Sequence, residues 1–346
     1  MKVMAALSGG VDSSVAVAEL LRAGHEVVGV TMKLWGGDSD TGCCSVADVD
    51  DARRVAHQLG IDHLVFNFGE DFAARVVDPY VDAHRHGNTP NPCIECNRHL
   101  KFARLAERAG LLGFDAVATG HHARVVDVGG VLRVARGADA AKDQSYVVHV
   151  LDQAQLARTM FPVGHLTKTQ VRERAAELGL RTADKPDSQD VCFITSTGGR
   201  TEFLGSRIPL RRAVVVDTSG EEVGAVDAVE LVTVGQRRGI GLPGGGPKRY
   251  VVDVDAGASP RVVVGADADL LVDAQPFTDL VWSAAPWSGE VRVQCSAHGA
   301  TMPATLRDGE VRWQQPQRRI APGQSLVFYD DNDQYVLGGA LAARPR

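Results

Sequence analysis

The chain has 346 residues, of which 44% are hydrophobic and 23% are charged, and its formal net charge at pH 7 is −6. This length exceeds one ordinary domain and this composition excludes a disordered chain, so we expect two or three domains with buried cores. The negative net charge provides no general affinity for nucleic acid, so an RNA partner would need a locally basic surface.

The first residues, from Met1 to Leu7, read as a buried strand and lack the apolar run and cleavage site of a signal peptide. No apolar run approaches the roughly 18 residues that a membrane span needs. We therefore expect a cytoplasmic protein without a membrane partner. In that reducing compartment the six cysteines are expected to be buried fillers, metal ligands or reactive thiols instead of static disulfides.

Strands and helices alternate through the first 120 residues. The pattern predicts strands at 2–7, 25–32, 61–68 and 115–119, and helices at 13–23, 46–59, 72–85 and 100–110. This βαβα order predicts an α/β domain with a Rossmann-like parallel sheet and helices on both faces. We place this domain at residues 1–200.

Beyond residue 200, short β-type runs separated by turns replace this alternation. They are predicted at 213–216, 229–233, 249–254, 261–264, 291–295, 302–306, 311–314 and 325–329. The glycine cluster from Leu242 to Pro247 is incompatible with regular structure. We expect a small, mostly-β central domain that contacts RNA at 201–267, followed by a C-terminal β-barrel at 268–346.

The most informative motif is Ser8-Gly9-Gly10-Val11-Asp12-Ser13-Ser14, between the first strand and the first helix. Its two glycines allow backbone N–H groups to face an anion, and the helix that follows adds the positive end of its dipole. Asp12 could orient the loop or help hold Mg²⁺. The motif is neither a Walker A loop nor a Gly-x-Gly-x-x-Gly loop. It is similar to the PP-loop of enzymes that split ATP between the α and β phosphates, and by itself it leaves the product open.

The cysteines form a second informative group. Cys93 and Cys96 follow the prolines Pro90 and Pro92, which stiffen an extended approach, and Cys192 comes about 100 residues later. Cys96 is predicted at the start of a basic helix, where the dipole and neighbouring cations favour the thiolate. Three interpretations remain open: sulfur transfer through a persulfide on one cysteine and attack by a second, a metal or iron–sulfur site on Cys93, Cys96 and Cys192, or two buried cysteines and a turn.

The other cysteines are predicted to have structural roles. Side chains of adjacent residues point apart, so Cys43 and Cys44 suit packing at the start of the second helix. Cys295 lies in a β-type run and suits the core of the last domain.

These strings together resemble the bacterial tRNA-specific 2-thiouridylases from end to end. Beyond the phosphate loop, the resemblance rests on Gly42-Cys43-Cys44-Ser45, Thr89–Asn97 with Lys101-Phe102, Ala118-Thr119-Gly120-His121, Lys142–Tyr146, Lys185–Gln189, Cys192-Phe193, Thr233–Gly239 and Pro322–Ser325. It implies ATP-dependent thiolation of C2 of the wobble uridine in the tRNAs for Lys, Glu and Gln.

The resemblance also implies roles for individual residues. The implied ATP contacts are Ala6, Leu7, Ser8, Gly9, Gly10, Val11, Asp12, Ser13, Met32 and Gly120, with Met32 near the adenine. Cys192 matches the persulfide carrier and Cys96 the nucleophile, and the two can form a disulfide in turnover. The implied neighbours of the target base are Asn91, Pro92 and Cys93, and the implied tRNA contacts are His121, Lys142, Asp143, Gln144 and Gln324.

The partners implied by the resemblance are ATP, Mg²⁺, the tRNA anticodon stem-loop and a sulfur donor, either a cysteine desulfurase or a sulfur-relay carrier, and we expect a monomer. Cys93 departs from the family, because many members carry Asp there, and a thiol is a poorer acid or base than a carboxylate. As a third thiol, it strengthens the iron–sulfur alternative. Two rival functions fit less well. A small-substrate ligase or amidotransferase leaves the cysteine pair unexplained, and a non-catalytic RNA-binding or sulfur-carrier protein leaves the intact phosphate loop unexplained.

Overall fold

The structure is a computed structural model that describes residues 1–35, 46–187, 191–194, 198–242 and 246–345. Within these ranges the chain forms a five-stranded sheet, a four-stranded sheet, a two-stranded sheet and a closed six-stranded barrel. The predictions made for Cys43, Cys44 and the middle of the glycine cluster fall outside the described residues.

The elements of the N-terminal part alternate as predicted. The strands are β1 (Lys2–Ala6), β2 (Glu26–Lys33), β3 (His63–Asn67), β4 (Ala116–Ala118), β5 (Ala123–Val128), β6 (Val131–Arg136) and β7 (Thr159–Met160). The helices are α1 (Val11–Arg22), α2 (Val46–Gln58), α3 (Gly69–Phe72), α4 (Asp78–Arg85), α5 (Pro92–Cys96), α6 (Leu105–Leu111), α7 (Gln153–Leu156), α8 (Lys168–Glu177) and α9 (Gly199–Gly205).

The sheet has the order β3-β2-β1-β4-β7, and all of its neighbouring strands are parallel, which confirms the predicted fold class. Successive side chains of a strand point to opposite faces. In β1, Val3 and Ala5 accordingly join a core cluster with α1 and α8, whereas Met4 joins a second cluster on the other face. The central strand is therefore apolar on both sides, as a doubly covered parallel strand must be.

The helix predicted from residue 100 begins eight residues earlier. Pro92 suits the first helical position because its φ is fixed, and the Asn91 side chain caps the helix by accepting from the Cys93 N–H at 3.0 Å. The chain continues through the π-helical segment Asn97–Arg104 into α6. The prediction that Cys96 lies at a helix start is therefore wrong: Cys93 occupies the first turn, and Cys96 follows one turn later.

Helix α8 and the β5–β6 hairpin were not predicted. A capping box begins α8, because the Thr167 and Gln170 side chains each accept from the other's backbone N–H. Val171 and Ala175 of α8 pack with Val15 of α1 in the core cluster on that face of the sheet. This packing places the N-terminal end of α8 beside the phosphate loop.

The second half contains two β-structures. The strands are β8 (Ala213–Asp217), β9 (Glu222–Val226), β10 (Tyr250–Asp255), β11 (Arg261–Gly265), β12 (Leu271–Trp282), β13 (Gly289–Gln294), β14 (Met302–Arg307), β15 (Glu310–Arg318), β16 (Ser325–Tyr329) and β17 (Val336–Ala342). The four-stranded sheet has the order β10-β11-β8-β9, and the barrel β12-β15-β14-β13-β16-β17, which confirms the small central β-structure and the C-terminal barrel.

One predicted strand in this half, at 229–233, is wrong. The segment Val229–Leu231 forms a 3₁₀ turn, in which the Leu231 N–H donates to the Ala228 carbonyl. Val229 and Val232 are both buried in the core of the small sheet, so the turn satisfies the same apolar pattern without pairing to a neighbouring strand. In the described part of the chain, no helix is long and apolar enough to cross a bilayer.

Candidate active site

The carboxyl ends of β1, β2 and β4 meet at a cavity of about 500 Å³. This is the edge at which open parallel sheets bind ligands. The predicted ATP residues that line the cavity are Ala6, Leu7, Ser8, Gly10, Val11, Asp12, Ser13, Met32 and Gly120. The structure therefore gathers these positions, which are separated by more than 100 residues in the chain, around one space.

Two glycines shape the phosphate loop by permitting close approach. Gly9 has a φ of 73°, and a Cβ there would lie 2.5 Å from the Asp48 carbonyl oxygen. Gly120 follows β4, and a Cβ there would lie 2.6 Å from the backbone nitrogen of Ser13. Only glycine fits at either place without displacing backbone. Gly9 packs against the backbone of Asp48, whereas Gly120 lines the cavity.

Hydroxyl groups stabilise the turn itself. The Ser13 and Ser14 side chains both donate to the Gly10 carbonyl, at 3.0 and 2.8 Å, and the Ser8 N–H donates to the Ser13 hydroxyl at 3.2 Å. The loop is therefore organised before any ligand enters.

Asp12 is held by two cationic or potentially cationic side chains. The Lys168 ammonium donates to both of its carboxylate oxygens, at 2.8 and 2.7 Å, and His122 lies 3.0 Å from one of them. Burial opposes ionisation of Asp12, but the hydrogen bonds from His122 and Lys168 outweigh it, so the pKa of the carboxyl is lowered. Both roles considered for Asp12, orienting the loop and helping to hold Mg²⁺, stay predictions.

Lys168 also reaches a second carboxylate in the cavity lining. Asp187 accepts from Lys168 and Lys142, each at 2.8 Å, and from Arg172 at 3.0 Å. Burial raises the pKa of Asp187, but the hydrogen bonds from these lysines outweigh it and lower the pKa to about 2. Lys168 was not among the predicted site residues, because it belongs to the helix that the sequence analysis missed. The signal for that helix was the Thr167–Gln170 capping pair.

The predicted tRNA residue His121 lines the cavity but is buried. Its Nδ1 is hydrogen-bonded to the Thr119 hydroxyl at 2.6 Å, and its ring lies 5.8 Å from those of Phe102 and Phe161. Burial lowers the pKa of His121 well below its ordinary value, and nearby positive groups add to this shift. His121 is therefore a neutral part of the cavity wall at pH 7.

Asp143 and Gln144 line the same cavity, and their side chains bind within the protein. Asp143 accepts from Arg136 at 2.7 Å and from the Ser145 hydroxyl at 2.6 Å. The Gln144 side chain accepts from the His122 N–H at 2.9 Å. These contacts organise the wall from which Lys142 projects.

Gln324 lies outside the cavity lining, at the junction of the barrel with the N-terminal part. Its side chain donates to the Thr89 carbonyl, and the Thr89 N–H donates to the Pro322 carbonyl at 2.7 Å. The Thr89 hydroxyl is also 3.2 Å from that of Thr233 in the central part. Thr89, two residues before Asn91, therefore contacts all three parts of the molecule.

Cys96 and Cys192 share one apolar cluster. Cys96 is 7% exposed in the core cluster that contains Phe193, and Cys192 packs against the same cluster while remaining partly buried. The cluster also contains Met32, which lines the cavity, whereas the described lining contains neither cysteine. Cys93 is exposed. Cys96 and Cys192 thus share an apolar cluster, and Cys93 is exposed.

The residue after Cys192 is an anchor. The Phe193 ring lies 5.0 Å from that of Phe203, 5.4 Å from Tyr80 and 5.7 Å from Phe72. Edge-to-face and tilted pairs at such distances are favourable, and Phe193 is buried. Packing of Phe193 therefore sets where the backbone of Cys192 lies.

The lining suits a nucleoside triphosphate. The phosphate loop offers N–H groups, lysine side chains also line the cavity, and Met32 supplies an apolar surface for a base. The carboxylates in the lining are each paired with a basic side chain: Asp12, Asp48, Asp143 and Asp187. Mg²⁺ binds phosphate oxygens and water readily, so this donor set fits a cation carried mainly by the nucleotide. In the described ranges, no three His, Cys, Asp or Glu side chains are grouped so as to hold a metal ion.

Three protein-family models match consecutive parts of the chain. They are described as a tRNA methyl transferase HUP domain at residues 1–196, a tRNA methyl transferase PRC-barrel domain at 201–266 and an aminomethyltransferase beta-barrel domain at 276–342.

Named proteins match over nearly their whole length. The tRNA-specific 2-thiouridylase MnmA of Mycobacteroides abscessus is 46% identical over 361 residues, which cover 99% of this chain and 100% of that protein. The protein of the same name from Chloroflexus aurantiacus is 46% identical over 358 residues, covering 99% and 98%. Among solved structures, the U34-tRNA thiolase NcsA from Methanococcus maripaludis with its 4Fe-4S cluster is 18% identical, covers 55% of this chain and 61% of its own, and has a TM-score of 0.37. A likeness of that size carries no argument about this chain.

Proposed function

Since the chain belongs to the tRNA-specific 2-thiouridylase family and is a tRNA sulfurtransferase, we propose that it thiolates C2 of the wobble uridine in the tRNAs for Lys, Glu and Gln. The observation that carries the proposal is the phosphate-loop cavity bordered by the apolar cluster of Cys96 and Cys192. The family models are described as methyl transferases, but the named relatives match from end to end, and a phosphate loop suits ATP better than a methyl donor.

The first step of the proposed reaction is activation of the base. Residues 6–13, Met32 and Gly120 hold ATP, and the uridine O2 attacks the α-phosphate, which releases pyrophosphate. Mg²⁺ supplies electrostatic stabilisation to the phosphates when it is bound. The loop N–H groups also stabilise the charge on the phosphates, because they are already oriented. Activation is needed because oxide is a poor leaving group from C2, whereas AMP is a good one.

The second step is sulfur transfer. A persulfide on Cys192 attacks C2 through its outer sulfur, and AMP leaves. The Cys96 thiolate then attacks the inner sulfur, on Cys192, so that the bond to the transferred sulfur breaks and its electrons remain on the 2-thiouridine. A Cys96–Cys192 disulfide results, which an external thiol reduces. The shared apolar cluster of the two cysteines supports this assignment.

Further assignments complete the proposal. Asn91, Pro92 and Cys93 lie near the target base. The tRNA side of the site is formed by His121, Lys142, Asp143, Gln144 and Gln324, each of which also makes the contacts within the protein described above. The anticodon stem-loop is the part of tRNA that enters, because unstacked loop bases are the ones that proteins read. A cysteine desulfurase or a relay carrier loads Cys192. We propose a cytoplasmic monomer.

An alternative is the same reaction with an iron–sulfur cluster on Cys93, Cys96 and Cys192. Cys93 and Cys96 are three residues apart on one helix, a spacing that puts side chains on one face. The exposure of Cys93 and the burial of Cys96 argue against a shared ligand set. Anaerobic purification with iron analysis tests this alternative. If the wild type contains bound iron, and Cys93→Ala loses both the iron and the activity, the cluster mechanism replaces the persulfide scheme.

The decisive experiment is thiolation of unmodified tRNA with ATP, Mg²⁺, cysteine and a desulfurase. We expect wild type to form 2-thiouridine, and Cys96→Ala and Cys192→Ala to lose it while still binding tRNA. Cys295→Ala is the matched control, because burial raises the pKa of that thiol to about 12 and it packs in the barrel. Full thiolation by Cys192→Ala would refute the persulfide route.

A further inference from the structure

Four lysine side chains line the nucleotide cavity, and three of them are neutralised within the protein. The four are Lys101, Lys142, Lys168 and Lys185. The last three each donate to a carboxylate of the lining, at 2.7 or 2.8 Å. Lys101 has no carboxylate within ion-pairing distance among the residues that the structure describes. Since the carboxylates of the lining already have basic partners, Lys101 presents its charge to an anion that enters the cavity.

The π-helical segment that carries Lys101 shows the same contrast. Both of its arginines are paired with carboxylates. Arg98 lies 3.5 Å from Glu95, and Arg104 lies 3.1 Å from Asp71. Lys101 is half-buried and is the basic residue of this segment that lines the cavity. Since π-helical turns are rare and are frequently found at functional sites, an unpaired charge at this place suggests a role in the reaction.

Burial on both sides fixes the backbone of Lys101. Leu100 is fully buried in the core cluster that contains Cys96, and Phe102 is buried in a different cluster. The Phe102 carbonyl also accepts from the Gln155 side chain at 3.0 Å. The position of the lysine is therefore set before a ligand enters, so that less conformational entropy is lost when its ammonium binds.

Lys101 reaches the cavity from the helix that carries Cys96. The helix α5 ends at Cys96, and the π-helical segment continues from it without a break. At the cavity, the charge of Lys101 acts on His121: burial is the main cause of the lowered pKa of His121, and the positive charge of Lys101 adds to it. His121 follows Gly120, which approaches the backbone of the phosphate loop. Lys101 is thus within electrostatic reach of residues beside that loop.

We propose that the Lys101 ammonium binds the α-phosphate of ATP, which the target base attacks and which afterwards stays with AMP. This inference rests on the proposed function, in which ATP activates the base. The phosphate loop offers N–H groups to the pyrophosphate that leaves, whereas Lys101 belongs to the helix that begins at the segment assigned to the target base. The α-phosphate gains negative charge as pyrophosphate departs, and a fixed cation beside it stabilises that charge.

The test measures pyrophosphate release at saturating tRNA, with AMP and pyrophosphate as product inhibitors. We expect Lys101→Met to lower the kcat/KM for ATP about 10- to 100-fold and to raise the inhibition constant of AMP by a similar factor, because hydrogen bonds to charged groups contribute this much. The inhibition constant of pyrophosphate should stay within about twofold of the wild-type value. Lys101→Arg keeps the positive charge and should recover part of the loss.

The chain offers a matched control in Lys33. This lysine ends β2 next to Met32, is exposed and lies outside the cavity lining. It also has no carboxylate partner among the described residues. Lys33→Met therefore removes the same charge from the same protein without touching the cavity, and it should change none of the constants.

Three results would overturn the assignment. An equal rise in the inhibition constant of pyrophosphate would place Lys101 at the β- and γ-phosphates. A weaker binding of tRNA without nucleotide, measured by filter binding, together with an unchanged kcat/KM for ATP, would make Lys101 an RNA contact. No change in any constant would make it a surface lysine. Lys101→Gln serves if the methionine variant does not fold. If the wild type itself releases no pyrophosphate from ATP and tRNA, the proposed function fails, whereas a failure of the Lys101 assignment alone leaves that function standing.

Discussion

The two sides of the cavity differ in the polarity of their side chains. The nucleotide side is charged: Asp12, Asp187 and Lys168 form a continuous chain of ion pairs around the phosphate loop. The other side, which we call the cysteine side, is apolar: Met32 and Leu34 line it and belong to the cluster that contains Cys96 and Phe193. Charged partners can hold an anion and its counterions in fixed places, whereas an apolar wall would keep water from the sulfur that we propose Cys192 to carry. In the proposed reaction, activation would therefore depend on the charged side and sulfur transfer on the apolar side.

The largest effect on this comparison should come from Gly120→Ala, on the nucleotide side. A Cβ at this position would lie 2.6 Å from the Ser13 nitrogen and 2.8 Å from the Asp12 carbonyl carbon, so the phosphate loop must move. We expect the kcat/KM for ATP to fall about 100-fold, because a shift of this order misplaces the reacting phosphate. Steady-state pyrophosphate release measures it. Gly246→Ala is the control, since a Cβ there meets open space. An unchanged kcat/KM for ATP would show that the loop tolerates displacement.

A smaller effect is expected from Gln324→Leu, at the junction of the barrel with Thr89, which precedes the segment that we propose to lie near the target base. The variant removes the side-chain bond to the Thr89 carbonyl. A hydrogen bond of this kind contributes about 1 kcal/mol, so we expect the kcat/KM for tRNA to fall about fivefold while the KM for ATP stays the same. Gln317→Leu, which loses only a local bond to Gln315 within β15, is the control. A rise in the KM for ATP would contradict the separation of the two sides.

The last prediction concerns stability. Titratable groups on the two sides of the cavity should make the free energy of unfolding depend on pH over different ranges. Burial lowers the pKa of His84, which packs on Tyr80, to about 4, although its bond to the Glu230 carbonyl acts in the opposite direction. The unfolded chain therefore takes up this proton first, and stability falls as pH decreases from about 6.5 to about 4, by about 1 kcal/mol per pH unit. The lowered pKa of Asp187, about 2, contributes stability that is complete above pH 4 and is lost only as pH falls through that value.

Urea unfolding at pH 7, 6 and 5 measures this difference. His84→Gln should flatten the dependence over that range, whereas His165→Gln, at an exposed position, should leave the slope as it is. Burial also lowers the pKa of His149 to about 4, so part of the slope should remain in His84→Gln. A slope that His84→Gln leaves unchanged would mean that its imidazole is not buried in the neutral form.

Local patterns in the sequence were sufficient for the α/β domain and the phosphate loop. The alternation of apolar runs predicted the parallel sheet, and Ser8–Ser14 predicted an anion site, because both depend on neighbours in the chain. The 3₁₀ turn at Val229–Leu231 escaped prediction, since a buried turn and a short strand share one apolar pattern. The helix start at Pro92 was also missed, although its asparagine cap and proline are local signals.

The tertiary structure alone decided which distant residues meet. No spacing in the sequence indicates that Lys168 bridges Asp12 and Asp187, or that Gln324 of the barrel holds Thr89. Such contacts depend on how α8 packs on α1 and how the barrel meets the N-terminal part, and packing is set by the shapes of whole surfaces instead of local propensity. The residue types supply the chemistry available to this protein, and the packing of the fold places together the groups that perform it.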